Sequence, residues 1–334
     1  MKAMVLAAGL GTRMRPLTLL RAKPVLPVLN RPLLHWTLER LARHGVTDVM
    51  INLHHHPASL QRAAGDGSAF GLRVSYSHER RILGTGGGPR RVRDFFGSEP
   101  FLLVNGDMLF DLDLSELVRW HRRTGSRATL ALLAMPSRGR YGAVVAGRDG
   151  RVVSIADRPR PARGPRSLFA GVHVLDPALL ERLPPGKSDT VRDLYWPMLA
   201  SGEPVYGLRM KGPWYDLSSP PLYLASQTAL LKRAGGASTR SLVHPTARVE
   251  PGALVRGSVI GPRCRVGAGA RVEGSVLWER VSVGDGARVA GSILADRVRV
   301  ADAEVVRDQV VLRARRDRGL PRPRRGQHYV EVGE

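Results

Sequence analysis

The chain has 334 residues, enough for one large α/β domain with a smaller partner, and its 43% hydrophobic and 24% charged composition excludes wholesale disorder and a coiled coil. Lysine and arginine number 52 against 29 acidic residues, a formal charge of +23; the arginines are scattered and no RNA-reading aromatic motif accompanies them, so a solvated basic surface is the leading expectation, a functional anion field the alternative, and nucleic acid is not expected. A single cysteine, Cys264, excludes an internal disulfide, and no apolar stretch reaches membrane-spanning length, so a cytoplasmic protein without membrane insertion is expected.

An apolar run over 2–7 enters a glycine-rich turn and reads as a buried strand feeding a loop. Its flanks differ from a signal peptide, because a basic, proline-containing segment follows at once. Pro32 opens a helical pattern with Leu34, Leu38 and Leu41 on one face, stopped at Gly45. Residues 46–53, 72–77 and 101–107 read as three further strands with helical segments between them. That alternation predicts an α/β fold with a Rossmann-like, mostly parallel sheet, whose ligands sit at the carboxyl ends of the strands. Short strands dominate 127–174 and suggest an added β-rich lobe beside the site. Helical patterns return at 191–200 and 221–232, and 234–241 reads as a linker closing a catalytic domain of residues 1–233.

Beyond the linker the sequence is periodic. Val255, Val272 and Val289 open three aligned blocks of seventeen residues, with aliphatic positions at steps of five or six: Val255, Ile260, Val266, Val272, Leu277, Val283, Val289, Leu294 and Val300. Val243 and Val249 extend the series backwards. Inward aliphatics with small residues at the corners suit a triangular coil of short stacked strands. The pattern resembles the hexapeptide-repeat left-handed parallel β-helix and assigns it to residues 242–312. The arginine-rich tail, 313–334, is expected to be disordered. Cys264 reads as a packing residue, and Trp278, which interrupts a repeat corner, as a candidate interface residue. The adjacent His54, His55 and His56 point in different directions along a loop and make a poor metal cluster.

Three constellations carry chemistry. In the first, Gly9 and Gly11 of the segment Leu6-Ala7-Ala8-Gly9-Leu10-Gly11-Thr12-Arg13 lack Cβ atoms, so backbone N–H groups can approach phosphate oxygens, and Arg13 and Lys23 supply positive charge. The ending differs from a Walker loop, which would close on Gly-Lys-Ser/Thr. The second is Asn105-Gly106-Asp107 at a strand end, and the third is Trp214-Tyr215-Asp216.

The string GLGTRMRPLT followed by Lys23-Pro24 resembles the signature of the nucleotidyltransferases that make nucleotide sugars, including mannose-1-phosphate guanylyltransferases and their uridylyl-, thymidylyl- and adenylyl-transferring relatives. The resemblance covers nearly the whole chain and implies a nucleoside triphosphate and a sugar-1-phosphate as substrates, with pyrophosphate leaving. It implies nucleotide contacts at Leu6, Ala8, Gly9, Gly11, Thr12, Arg13, Glu79, Gly84, Thr85 and Gly106. Glu79, five residues before the Gly84-Thr85 turn, falls where relatives read the base; a carboxylate there suits guanine, with a single bond to uracil N3–H as the alternative. Catalytic roles fall to Arg13, Lys23 and Asp107. Transfer between two anions needs a hard cation, so Asp107 and Asp216 are expected to hold Mg²⁺.

Gly142, Asp157, Arg158 and Gly171 fall in elements that hold the sugar phosphate in that family. The chain departs from the pattern there: Asp157-Arg158 stands for a Glu-Lys pair, Phe169 for an Asn and Ser218 for a Gly. GTP with mannose-1-phosphate is the leading pair. N-acetylmuramate-1-phosphate uridylyl transfer and glucose-1-phosphate nucleotidylyl transfer are alternatives, and a non-catalytic nucleotide-sugar-binding homologue is a reading of another class. Acyl transfer on the β-helix has only His244 as a base and is disfavoured. The β-helix is expected to cap the catalytic domain or to mediate homo-oligomerisation, because its end coils otherwise expose strand edges.

Overall fold

The structure is a computed structural model, and it describes residues 1–136, 141–235, 240–313 and 329–332. The chain divides into two compact units, one of residues 1–10 and 34–215, the other of residues 11–33 and 216–334. Residues 11–33 and 216–233 of the expected catalytic domain fall in the second of these units.

The first unit is built on a nine-stranded sheet. Lys2–Leu6 lies between Asp48–Leu53 and Phe101–Asn105, and Arg73–His78 follows Asp48–Leu53, all four parallel. These are the strands expected at 2–7, 46–53, 72–77 and 101–107, within two residues at each end. Ala3, Met4, Val5, Val49, Ile51 and Phe101 to Val104 are fully buried, as strands covered on both faces must be.

The short strands beyond residue 127 do not form a separate lobe. They extend the same sheet in the antiparallel sense through Arg166–Leu175, which pairs with Ala128–Ala134 along one side and, on the other, with Ala143–Ala146 near its start and Phe101–Asn105 near its end. Val152–Ile155 then pairs with Ala143–Ala146, and Tyr206–Arg209 with Ala128–Ala134. A strand ten residues long serves three neighbours because Ala143–Ala146 takes residues 166–168 and Phe101–Asn105 takes residues 172–175 of one side; its register with Ala128–Ala134 on the other side shifts between Phe169 and His173.

The second unit contains the predicted left-handed β-helix. Three parallel stacks rise in register at an offset of seventeen residues, as in Leu242↔Val259, Val259↔Val276 and Val276↔Ile293. Of the expected inward series, Ile260, Val266, Val272, Leu277, Val283, Val289, Leu294 and Val300 are buried in its core and Val255 packs partly buried against it, whereas Val243 and Val249 of the first coil are exposed, with no preceding coil paired below them among the described residues. Corners take left-handed backbone, supplied by Gly257, Gly274 and Gly291 at one vertex and by Arg263, Arg280 and Arg297 at another. Along one edge the buried Ser258 and Ser275 hydroxyls accept from the backbone N–H of Ser275 and Ser292, at 3.1 and 3.0 Å. Cys264 is buried and packs in this core, as expected.

Residues 314–328 and 333–334 of the expected tail, and 236–239 of the expected linker, lie outside the described residues. The expectation of disorder does not hold at Tyr329–Val332, which pairs in parallel with Val310–Arg313 as a further strand of one stack. Among the described residues no helix is long and apolar enough to cross a membrane.

Candidate functional site

In the first unit, four parallel strands end side by side, and the candidate residues follow from their carboxyl ends. Leu6 pairs with Asn105 at the tips of the two central strands, and the Gly106 N–H donates to the Leu6 carbonyl at 2.9 Å. A Cβ on Gly106 would stand 2.7 Å from that oxygen, so this glycine is demanded by the close approach of the two strand exits. Ala8 and Gly9 leave from one exit and Asp107 from the other. Asp107 is half-buried. Gly9 is exposed and a Cβ there would meet nothing within 4 Å, so the fold places no demand on it and the space is open to a ligand.

Asn52, which the sequence reading did not single out, organises this edge. It is buried at the end of the next strand, accepts from the Ala7 N–H at 2.7 Å and donates to Glu79 Oε1 at 2.8 Å. A lone amide inside an otherwise apolar strand was the available signal.

Glu79 does not present its carboxylate outward as a base reader would. It is 4% exposed; Oε1 takes the Asn52 amide and Oε2 takes the Leu83 N–H at 2.8 Å. The Gly84–Arg91 helix that follows is similarly occupied. The N–H groups of Gly86 and Gly87 both donate to the Ser188 carbonyl, and the Thr85 hydroxyl donates to Asp189 at 3.0 Å and accepts from the Thr190 N–H at 2.9 Å. A Cβ on Gly84 would lie 2.4 Å from the Ser188 oxygen. The glycine run admits the backbone of residues 186–189 against it, so Gly84 and Thr85 brace a loop rather than facing a nucleotide with free donors.

The sugar-side candidates surround a break in the sheet. Gly171 has φ +70°, and a Cβ there would meet Met108 Cε at 2.3 Å and Asn105 Nδ2 at 2.8 Å. The Trp214 indole N–H points at the Ala170 carbonyl, 3.2 Å away, and the Tyr141 ring meets the Trp214 ring edge-on at 5.8 Å. Gly142 faces Ala156, whose methyl would lie 3.0 Å from an added Cβ. Asp157 and Arg158 are exposed on the turn beyond; Asp157 pairs with Arg166 at 3.2 Å and the Arg158 guanidinium lies 5.8 Å from the Trp196 ring centre. Phe169, standing where an amide is usual, packs on the core and against the His173 ring. His173 in turn hydrogen-bonds the Tyr195 hydroxyl, and burial pushes it down to about 3.

In the second unit, Gly11 has φ +59° and a Cβ on it would stand 2.8 Å from Thr18 Cγ2, so its glycine is required by the turn itself. The Thr18 hydroxyl donates to the Gly11 carbonyl at 3.0 Å. Thr12 and Arg13 are exposed on the short helical turn Thr12–Met14. Lys23 is 6% exposed in the turn Lys23–Val25. Asp216 accepts from the Ser218 N–H at 2.7 Å, a local bond that orients its carboxylate.

Asp107 and Asp216 are hard oxygen donors of the kind Mg²⁺ takes. No group of three or more His, Cys, Asp or Glu side chains able to hold a metal occurs among the described residues, the His54 to His56 run included. His54 instead donates from Nδ1 to the Glu79 carbonyl at 2.8 Å.

The family model described as "Nucleotidyl transferase" matches residues 2–233, and one described as "GMPPB C-terminal domain" matches residues 237–315. Over 267 residues the chain is 32% identical to a UTP–glucose-1-phosphate uridylyltransferase of Synechocystis, covering 75% of this chain and 68% of that protein. Over 263 residues it is 33% identical to a mannose-1-phosphate guanylyltransferase of Mycobacterium tuberculosis, covering 76% and 73%. A solved structure of a putative glucose-1-phosphate thymidylyltransferase from Bacillus anthracis shares the fold, with a TM-score of 0.59 at 21% identity over 69% of this chain and 94% of that one.

Proposed function

Because the chain belongs to the nucleotidyl transferase family, we propose that it joins a nucleoside triphosphate to a sugar-1-phosphate, releasing pyrophosphate and a nucleotide sugar. The observation that carries this is the convergence of the Ala8–Gly9 and Gly106–Asp107 exits at the carboxyl ends of two hydrogen-bonded strands. An open glycine turn for phosphate and a carboxylate for its cation leave neighbouring strand ends, where α/β sheets bind ligands.

In this reading a phosphate oxygen of the sugar-1-phosphate attacks the α-phosphorus in line, and pyrophosphate departs. Positioning and charge carry the chemistry, so no covalent nucleophile is required. Arg13 steadies the departing pyrophosphate, Lys23 the α-phosphate or the incoming phosphate, and Arg158 the sugar phosphate. Asp107 and Asp216 hold Mg²⁺, which when bound neutralises phosphate charge.

GTP and mannose-1-phosphate are the favoured pair. The support is the C-terminal match together with the mycobacterial relative, and no longer Glu79, whose carboxylate is committed inside the protein. Pyrophosphate release from a matrix of GTP, UTP, dTTP, ATP and CTP against mannose-, glucose-, N-acetylglucosamine- and N-acetylmuramic acid-1-phosphates, with Mg²⁺, tests this. A rate at least tenfold above the others for GTP with mannose-1-phosphate supports the pair, a different winner replaces it, and silence throughout favours a binding homologue.

A further inference from the structure

The turn that carries Lys23 is anchored on both sides by the C-terminal part of its own unit. Two residues before it, Arg21 forms an ion pair with Asp296 and lays its guanidinium 4.9 Å from the ring centre of Trp278, both residues of the β-helix. Four residues after it, the Pro27 carbonyl accepts from the Tyr223 hydroxyl and from the Gln227 amide at 2.8 Å, both on the helix Pro220–Gly235. Gln227 Oε1 also accepts from the Leu29 N–H at 2.9 Å, and Asn30 donates to the Ile260 carbonyl of a β-helix coil at 2.9 Å.

Trp278 joins the two sets of anchors. It is 2% exposed, its indole N–H donates to the Tyr223 oxygen at 3.2 Å, and its own carbonyl accepts from the Cys264 thiol. The corner residue that breaks the repeat is therefore buried inside this unit, with one face under Arg21 and its N–H on the hydroxyl that holds Pro27.

We propose that Trp278, Tyr223 and Asp296 are positioning residues that hold the Lys23 turn in place, making the β-helix a working part of the triphosphate grip. The inference rests on the first of the two roles given to Lys23 above, contact with the α-phosphate. Lys23 is buried, so the direction of its side chain is set by its backbone, and the anchors at Arg21, Pro27, Leu29 and Asn30 fix that backbone. A displacement of about 1 Å in such a group costs on the order of 100-fold in rate. A tryptophan acting only as filler would need no directed N–H and no guanidinium on its face.

The experiment compares Asp296→Asn, Tyr223→Phe and Trp278→Phe with the wild type in the full chain. Readouts are kcat, KM for the triphosphate, KM for the sugar phosphate, and thermal unfolding to establish that each is folded at the assay temperature. Asp296 is partly exposed, so Asp296→Asn keeps the fold and the test stands on it even if the two buried variants are unstable. The expected result is a fall of about tenfold in kcat/KM for the triphosphate, with KM for the sugar phosphate unchanged. Folded variants with wild-type constants, or with both KM values shifted alike, overturn the inference while leaving the enzyme reading intact. A wild type that neither turns over nor binds any nucleoside triphosphate overturns the enzyme reading and the inference with it.

Discussion

Asn52 donates its side-chain amide to the Glu79 carboxylate at 2.8 Å beneath the ends of two adjacent strands. The same Asn52 holds the Ala7 N–H, one residue before the glycine turn, and the same Glu79 holds the Leu83 N–H ahead of the Gly84–Arg91 helix. One buried amide and one buried carboxylate thus tie the first loop to the third strand's exit. Replacing Glu79 by alanine strands the buried Asn52 amide, at about 1–3 kcal/mol, and leaves the partly buried Leu83 N–H without its acceptor. Denaturant unfolding of Glu79→Ala should show that loss. An unaltered stability with altered choice between GTP and UTP would instead return Glu79 to the base.

Gly9 and Gly11 should separate under the same substitution. Gly9→Ala meets no atom of the protein, so stability should stay within about 0.5 kcal/mol while KM for the triphosphate rises. Gly11→Ala forces a methyl into left-handed backbone and against Thr18, and should cost about 1–2 kcal/mol before any effect on substrate. Unfolding curves and initial rates measured side by side check both, and equal destabilisation would contradict the assignment.

Asp107→Asn keeps the shape of a half-buried strand-end residue and removes its charge. Partners one shell removed from a metal already cost 10–100-fold, so loss of a direct ligand should lower turnover by more than about 100-fold. The melting temperature should not move. Turnover within tenfold of wild type would take Asp107 out of the metal site.

Burial holds His173 down to about 3 and His121 down to about 4, from 6.5. Both stay neutral in the folded chain where an unfolded histidine already takes up a proton. Below about pH 6.5 the unfolded state therefore binds more protons, and stability falls with pH until about pH 4, where folded His121 also charges. Each histidine contributes up to about 1.4 kcal/mol per pH unit across that window. His121→Gln should lessen the slope by about one proton in unfolding measured from pH 4.5 to 7.5, and parallel curves for variant and wild type would remove His121 from the account.

The sequence by itself determined the parts whose information is local or repeated. The four parallel strands are legible because each is an apolar run bounded by turn residues, and the β-helix because every coil repeats its inward aliphatics seventeen residues on. The glycine turn and the strand-end Asp107 are legible for the same reason, since chemistry and backbone demand sit in adjacent residues. Tertiary structure alone decided which groups are already spent. Glu79 and Thr85 read as outward contacts, yet their partners lie on segments as distant as Asp189 and Thr190, and a buried polar group must be paired by whatever the fold brings to it. Trp278 read as an interruption of a repeat. Folding placed its N–H on Tyr223 and its face under Arg21, and no pattern within seventeen residues could encode contacts that reach back more than two hundred positions to the turn of Lys23.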